Sequence, residues 1–290
     1  MQLLSPMRVS FPTTVAEASD ELRTHGDDAR VYAGGAELVL LMRIGAVHVA
    51  RLVDVKRLRG MRDVTWSDGR LEIGAAVTHR RLETDREVWR RLPMFADAES
   101  RIGNIRIRNQ GTLGGNLAFN DPHSDPTPPL LVHDATVVLE STAGIRELAL
   151  DNFVGETYDT ALRQDEILTR ILVRALPEEW GQAYRRVERF QRPTLNVAVA
   201  ARARNGLIAE VRIAAGCLGP RATRLRELEA SLAGVPVAEI DRIVDGAKPV
   251  LKGSLNPRSD LLGSADYKLH VAGVLLKRGL RAALGLGGAA

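Results

Sequence analysis

Residues 32–45 read YAGGAELVLLMRIG and residues 108–125 read RNQGTLGGNLAFNDPHSD; the fold follows from what flanks these two glycine-rich stretches. Ahead of the first, Arg30–Tyr32 reads as a short strand, and Glu37–Ile44 behind it as a helix. Upstream, Thr14 precedes Glu17 at capping-box spacing, Val15, Ala18 and Leu22 share one helical face, and Gly26 stands where that helix stops. Downstream, Arg51–Val55 reads as another strand. A strand–helix–strand order of this kind predicts a small α/β unit with parallel pairing.

Between Asp63 and Leu176 the texture changes to short alternating runs, at Leu71–Ile73, Thr136–Leu139 and Ile167–Val173. Turn residues Asp68–Gly69 and Ala143–Gly144 separate them, which predicts an antiparallel-sheet lobe. A glycine- and proline-rich loop from Gly111 to Pro129 is expected to interrupt it. Pro177 with Glu178–Glu179 marks a domain boundary, giving domains 1–177 and 178–290. Past it come strands at Tyr184–Val187, Val197–Arg202 and Leu207–Ala215, a turn at Asn205–Gly206, and helices at Leu225–Leu232 and Asp266–Leu284. The tail GLGGAA is expected to fray.

A glycine pair brings bare backbone against a ligand, because no Cβ intervenes, and N–H groups beside a helix start suit a pyrophosphate. In the first stretch that reading stands beside a plain strand-to-helix turn. In the second, Gly111, Gly114 and Gly115 are joined by Thr112, Asn116, Ser124 and Asp125. Amide N–H groups with short hydroxyl, amide and carboxylate side chains suit a polyol phosphate; a polar surface loop is the alternative. Neither stretch carries a dinucleotide GxGxxG in its strand–helix setting or a P-loop, which disfavours nicotinamide Rossmann and P-loop enzymes. His79, His123 and His133 have no metal-ligand spacing and read as core or surface histidines.

Composition narrows the rest. With 45% hydrophobic and 26% charged residues the chain has material for a core and is not disordered. The apolar stretch Val39–Met42 is too short to span a bilayer, and the first ten residues lack a secretory apolar region, so a cytoplasmic protein is expected. The single cysteine, Cys217, excludes a disulfide framework and a cysteine-only cluster within the chain, and reads as a small packed hydrophobe. Residues 1–177 hold 22 basic against 25 acidic residues and residues 178–290 hold 18 against 11, so the C-terminal part is net +7. Its charges are interspersed with few aromatics, which disfavours nucleic acid and leaves a solvated or partner-facing surface.

The two glycine stretches, with VDVKRLRGM, IGAAVTHRRLE and CLGPRATRLRELE elsewhere, resemble in order the FAD-binding medium subunit of the molybdenum hydroxylases, the carbon monoxide dehydrogenase and xanthine dehydrogenase family. The resemblance covers essentially the whole chain. It implies an α+β fold: a two-lobed FAD-binding domain, with a small α/β lobe and an antiparallel-sheet lobe, followed by a small three-stranded sheet with helices. It implies FAD as cofactor, with the pyrophosphate on the backbone of Ala33, Gly34, Gly35, Ala36, Glu37 and Leu38. It places Gly111, Thr112, Gly114, Gly115 and Asn116 against the pyrophosphate and isoalloxazine region, and Ser124 and Asp125 on ribityl or adenosine hydroxyls. Arg30, Val31, Ile107, Ala118 and Arg185 complete the implied cofactor set; no residue is implied to be catalytic or to bind metal. Ala36 stands where the family commonly has a hydroxyl residue, and Phe119 where a small or polar one is usual.

The resemblance further implies an electron-transfer flavin subunit, fed by a [2Fe-2S] small subunit and a molybdenum-cofactor large subunit in a dimer of heterotrimers. An external acceptor such as NAD or a quinone takes the electrons. A self-sufficient flavin oxidase of the related two-lobed fold is the alternative. Bulky residues at Gly35 or Gly115 are expected to cost cofactor rather than fold.

Overall fold

The computed structural model describes residues 6–189 and 191–286. Thr14 caps helix α1 (Val15–His25) through the reciprocal pair with Glu17, and Gly26 ends it at φ +51°. Strands β1 (Arg8–Ser10), β2 (Ala29–Tyr32) and β3 (Arg51–Asp54) form a parallel sheet ordered β1-β3-β2, with α2 (Leu38–Arg43) between the last two. The parallel unit expected from the strand–helix–strand order is therefore present.

A second sheet collects β4 (Val64–Ser67), β5 (Arg70–Gly74), β6 (Thr136–Ser141), β7 (Gly144–Ala149) and β8 (Ile167–Arg174) in the antiparallel order β4-β5-β8-β6-β7. Between β5 and β6 the chain runs through α3 (His79–Glu83), α4 (Arg86–Arg91), α5 (Pro93–Arg101), α6 (Ile105–Gln110), α7 (Leu113–Phe119) and α8 (Thr127–Val132). The expected loop from Gly111 to Pro129 is thus helical over Leu113–Phe119 and again from Thr127. Its glycines and prolines occupy positions where they do little harm: Pro128 and Pro129 sit in the first turn of α8, and Thr112 caps α7 on the Gly115 N–H at 3.1 Å. A four-residue helix, α9 (Leu150–Phe153), follows β7.

The third sheet is antiparallel, ordered β12-β11-β10-β9, from β9 (Gly181–Glu188), β10 (Pro193–Arg204), β11 (Leu207–Gly216) and β12 (Thr223–Arg224). Three strands are long, as expected; a two-residue fourth is added at the edge. Helices α10 (Arg226–Leu232), α11 (Ile240–Gly246), α12 (Lys248–Leu255) and α13 (Ala265–Ala283) complete the chain. Gly279 lets α13 lie close on β10, since a Cβ there would stand 2.9 Å from a Val199 methyl. Side chains alternate across this sheet. Val197, Val199 and Ala215 join the C-terminal helices in one core, while Ala198, Ala200 and Ala214 join the N-terminal core of Leu71, Phe95 and Leu130. Cys217 lies in the C-terminal core. Most of the expected frayed tail, residues 287–290, lies outside the described residues. Among the described residues no helix is long and apolar enough to cross a membrane, and no His/Cys/Asp/Glu group suits a metal.

His133 is buried at the end of α8, where its Nδ1 lies 3.0 Å from the Arg174 carbonyl. Burial pushes its pKa down from 6.5 to about 4. The folded value lies below the unfolded one, so the unfolded chain takes the proton first as pH falls. The stability present above pH 6.5 is lost on the way to pH 4, about 2 kcal/mol of it between pH 7 and pH 5. Urea titrations at the two pH values should show His133→Gln losing about 2 kcal/mol less than wild type over that interval. Equal losses would show that this histidine is not buried in its neutral form.

Candidate functional site

The two glycine stretches meet. A Cβ on Gly34 would stand 2.0 Å from the Gln110 carbonyl oxygen, so the first stretch lies directly on the start of the second. The second is stitched to residues 75–79 by three backbone hydrogen bonds. Gly114 N donates to Ala75 O at 2.9 Å and Leu113 N to Val77 O at 3.0 Å, and His79 N donates to Gly111 O at 3.1 Å. Gly114 cannot carry a side chain, because its Cβ would fall 2.4 Å from that of Ala75. Beside the junction opens a cleft of about 520 Å³, lined by Tyr32, Ala33, Gly34, Lys56, Arg62, Ala76, Val77, Thr78, Arg81, Asn109, Gln110 and Thr112. That volume is ordinary for a ligand cleft.

Basic groups define its chemistry, and the sequence reading had not singled them out. Lys56 donates to the Ala33 carbonyl at 2.9 Å, pairs with Asp54 at 2.7 Å and lies 4.0 Å from the Tyr32 ring centroid, so it props the first stretch from beneath. Arg62 is exposed at the cleft, and Arg81 is held by Asp85 at 2.8 Å. The signal was present in VDVKRLRGM: a lysine two residues past the end of β3 must lie beside the chain leaving neighbouring β2.

Of the expected cofactor residues, Ala33, Gly34 and Thr112 line the cleft. Ala36, Leu38, Ile107, Asn116 and Ala118 are half-buried, Gly115 is exposed, and Gly111 is buried over the His79 ring. Glu37 reaches Arg192 at 3.4 Å. Val31 packs against the N-terminal core. Gly35 sits at φ +73° with its missing Cβ 2.5 Å from the Tyr32 ring, so bulk there strikes the protein itself and costs fold, contrary to expectation. At Gly115 the neighbour within reach is the capping Thr112 hydroxyl at 2.8 Å, so that glycine keeps its backbone bare toward the outside.

Two arginines go elsewhere. Arg30 folds back on the carbonyls of Asp27 and Ala29. Arg185 shares the face of β9 that carries Ala183 and Val187 toward the C-terminal helices. Strand alternation puts its neighbour Arg186 on the opposite face, where it pairs with Asp125 at 2.9 Å. Asp125 is 4% exposed and also accepts from the Tyr184 hydroxyl. Burial pushes its carboxyl up while Arg186 and Tyr184 pull it back. Ser124 donates to the Asn116 side chain at 2.7 Å, and its carbonyl accepts from buried Asn196 at 3.0 Å. Ser124 and Asp125 thus bind the second stretch to the third sheet. Arg186 Nε and Asn196 Oδ1 remain buried without a partner in this network, polar atoms that a ligand hydroxyl or carbonyl would satisfy.

Below the second stretch, His79 Nδ1 lies 2.7 Å from Glu99, both buried. Burial raises the Glu99 carboxyl against the pull of His79. None of these groups faces an open substrate pocket as an acid–base pair. The arrangement binds and orients.

Residues 5–175 match the family described as the FAD binding domain in molybdopterin dehydrogenase, and residues 182–283 match the CO dehydrogenase flavoprotein C-terminal domain. The carbon monoxide dehydrogenase medium chain of Hydrogenophaga pseudoflava is 31% identical over 274 residues, covering 94% of this chain and 95% of the relative. The xanthine dehydrogenase FAD-binding subunit of Escherichia coli O157:H7 is 28% identical, covering 95% of each chain. A solved structure of carbon monoxide dehydrogenase from Hydrogenophaga pseudoflava superposes with a TM-score of 0.91 at 31% identity, covering 97% of this chain and 98% of that one.

Proposed function

The chain belongs to the family of FAD-binding domains in molybdopterin dehydrogenases, and from that membership we propose that it is the electron-transfer subunit of a molybdenum hydroxylase complex. It is an FAD-binding, oxidoreductase-type medium subunit. The observation that carries the reading is the junction of the two glycine stretches beside a basic cleft. Bare backbone at Gly34 and Gly115, with Lys56, Arg62 and Arg81 nearby, suits an anionic dinucleotide. The backbone of 33–38 and 111–116 would hold the pyrophosphate, while Asn116, Arg186 and Asn196 would meet hydroxyl and carbonyl groups. When bound, FAD supplies the exchange between one-electron and two-electron carriers. The residues here bind it, fix its orientation and keep water from the buried Asp125–Arg186 side.

Donor and acceptor belong to other chains on this reading: an iron–sulfur small subunit and a molybdenum-cofactor large subunit on one side, an external acceptor on the other. Residues 1–177 are assigned to the FAD-binding domain and 178–290 to the C-terminal domain; the family matches ending at 175 and starting at 182 support that division. The net +7 of the C-terminal part is assigned to partner docking, with association slowing as salt rises. Co-expression with both partners tests the proposal. The expected result is one FAD per chain, released intact by acid, in a complex whose flavin is reduced by the organic substrate. The chain alone should carry FAD and leave the same substrate untouched. Turnover by the isolated chain at an ordinary enzymatic rate, about 10 per second, would establish a self-sufficient oxidase instead.

A further inference from the structure

Lys56 is held more firmly than a surface lysine. Asp54 accepts from its backbone N–H at 3.0 Å and from its ammonium at 2.7 Å. The ammonium also donates to the Ala33 carbonyl at 2.9 Å and lies 4.0 Å from the centre of the Tyr32 ring. Asp54 is 5% exposed at the end of β3, and a buried carboxylate needs such a partner. The lysine's charge is thus cancelled by its neighbour. What the ammonium adds is a fixed direction for one carbonyl.

That carbonyl belongs to the peptide joining Ala33 to Gly34. The peptide is trans, as are all those among the described residues, so its N–H points opposite to its C=O. With the Ala33 oxygen on Lys56, the Gly34 N–H is turned away from the lysine. Among the described residues it meets no acceptor, and neither does the Gly35 N–H. Gly34 itself lines the cleft. Little else holds this peptide plane, because glycine accepts either sign of φ and lets the plane turn over at small cost. Turned over, it would present a carbonyl oxygen where it now presents an N–H.

We propose that Lys56 is a positioning residue for the cofactor's pyrophosphate: by holding the Ala33 carbonyl it presets the Gly34 N–H as a donor to a phosphate oxygen. The inference rests on the FAD reading above and adds which peptide plane the first stretch must keep and what keeps it. A donor fixed before the ligand arrives pays no ordering cost on binding, and its dipole has the sign an anion needs. On this account Lys56 touches no phosphate. Arg62, exposed at the cleft, is the contrasting case, since its pull on an anion acts through water and fades with salt.

Binding to the full-length chain tests this without any turnover, with FAD and with ADP as a pyrophosphate probe, at about 0.1 M and about 1 M salt. Lys56→Met is made together with Asp54→Asn, so that no buried carboxylate is stranded. This pair of substitutions should weaken FAD and ADP several-fold at both salt concentrations, whereas the effect of Arg62→Ala should shrink at the higher one. Lys56→Arg, which keeps donors for both the carbonyl and the carboxylate, should recover most of the affinity. The backbone amide resonance of Gly34 should shift on adding ADP to wild type and stay in place in the double variant. Unchanged affinity in the double variant would overturn the proposal. So would a loss that vanishes at about 1 M salt, which would make Lys56 a direct charge on the phosphate. A wild-type chain that binds FAD without moving the Gly34 amide would overturn the proposal and leave the FAD reading standing. One that binds neither ligand would remove both.

Discussion

Gly34→Val is expected to yield a chain that carries no flavin and melts well below wild type, even in the absence of cofactor. The position has no room to yield. The intruding Cβ would stand 2.0 Å from a backbone oxygen, that of Gln110, and 2.9 Å from the same residue's carbonyl carbon, so no rotamer change relieves it. The second stretch cannot back away either, being tied to residues 75–79 through Gly111, Leu113 and Gly114. Overpacking of this kind costs about 1–3 kcal/mol when side chains can adjust, and a backbone-to-backbone clash belongs at or above the top of that range. Separation of the stretches would also pull the Ala33 carbonyl off Lys56 and open the cleft. Flavin content and a thermal melt of the apo chain check both halves. Wild-type flavin content in a stable Gly34→Val chain would show that the two stretches need not touch.

Asp125→Ala is expected to cost about 3 kcal/mol, toward the lower end of what breaking a buried ion pair removes. From the sequence this residue is a hydroxyl-binding carboxylate whose loss is mild; the structure makes it the buried partner of Arg186. Removal strands a guanidinium that is itself almost fully buried and leaves the Tyr184 hydroxyl without its acceptor. Arg186 keeps the exposed Glu188 and the Arg101 carbonyl, which places the loss at the low end. The double variant Asp125→Leu, Arg186→Met should recover much of the stability without restoring flavin affinity, because no buried charge is left over. Urea midpoints for the three proteins decide it; a double variant as unstable as Asp125→Ala would contradict the ion-pair account.

Local signals made most of the fold legible. The Thr14–Glu17 box, the Asp68–Gly69 and Asn205–Gly206 turns and the strand at Ile167–Val173 each act within a few residues and stand as expected, except that this strand is buried on both faces instead of alternating. The stretch from Gly111 to Pro129 was misread because its glycines and prolines are also tolerated at helix starts, and what makes α7 helical is a capping hydroxyl together with contacts to residues distant in the chain. The glycine stretches were recognisable as a site, but the reason for each glycine was not. Gly34 and Gly114 are bare because another backbone passes there, a fact about tertiary distance. One residue of register decides whether Arg185 or Arg186 faces Asp125, and no local feature of QAYRRVE fixes that register. Lys56, Tyr184 and Asn196 escaped notice because each acts on a residue at least a dozen positions away.

From Pro193 to Ala201, β10 in the third sheet has no side turned to solvent: Ala198 and Ala200 face one core, Val197 and Val199 the other. Residues 1–177 and 178–290 therefore do not behave as interchangeable cassettes. A shortened chain ending at 177 would present Phe95, Leu130 and Leu131 where Ala198, Ala200 and Ala214 had lain, an apolar scar prone to aggregation. Grafting a foreign C-terminal half would succeed only with alanine-sized residues at the same alternate positions of its central strands. The two halves share one wall, and each leans on it from its own side.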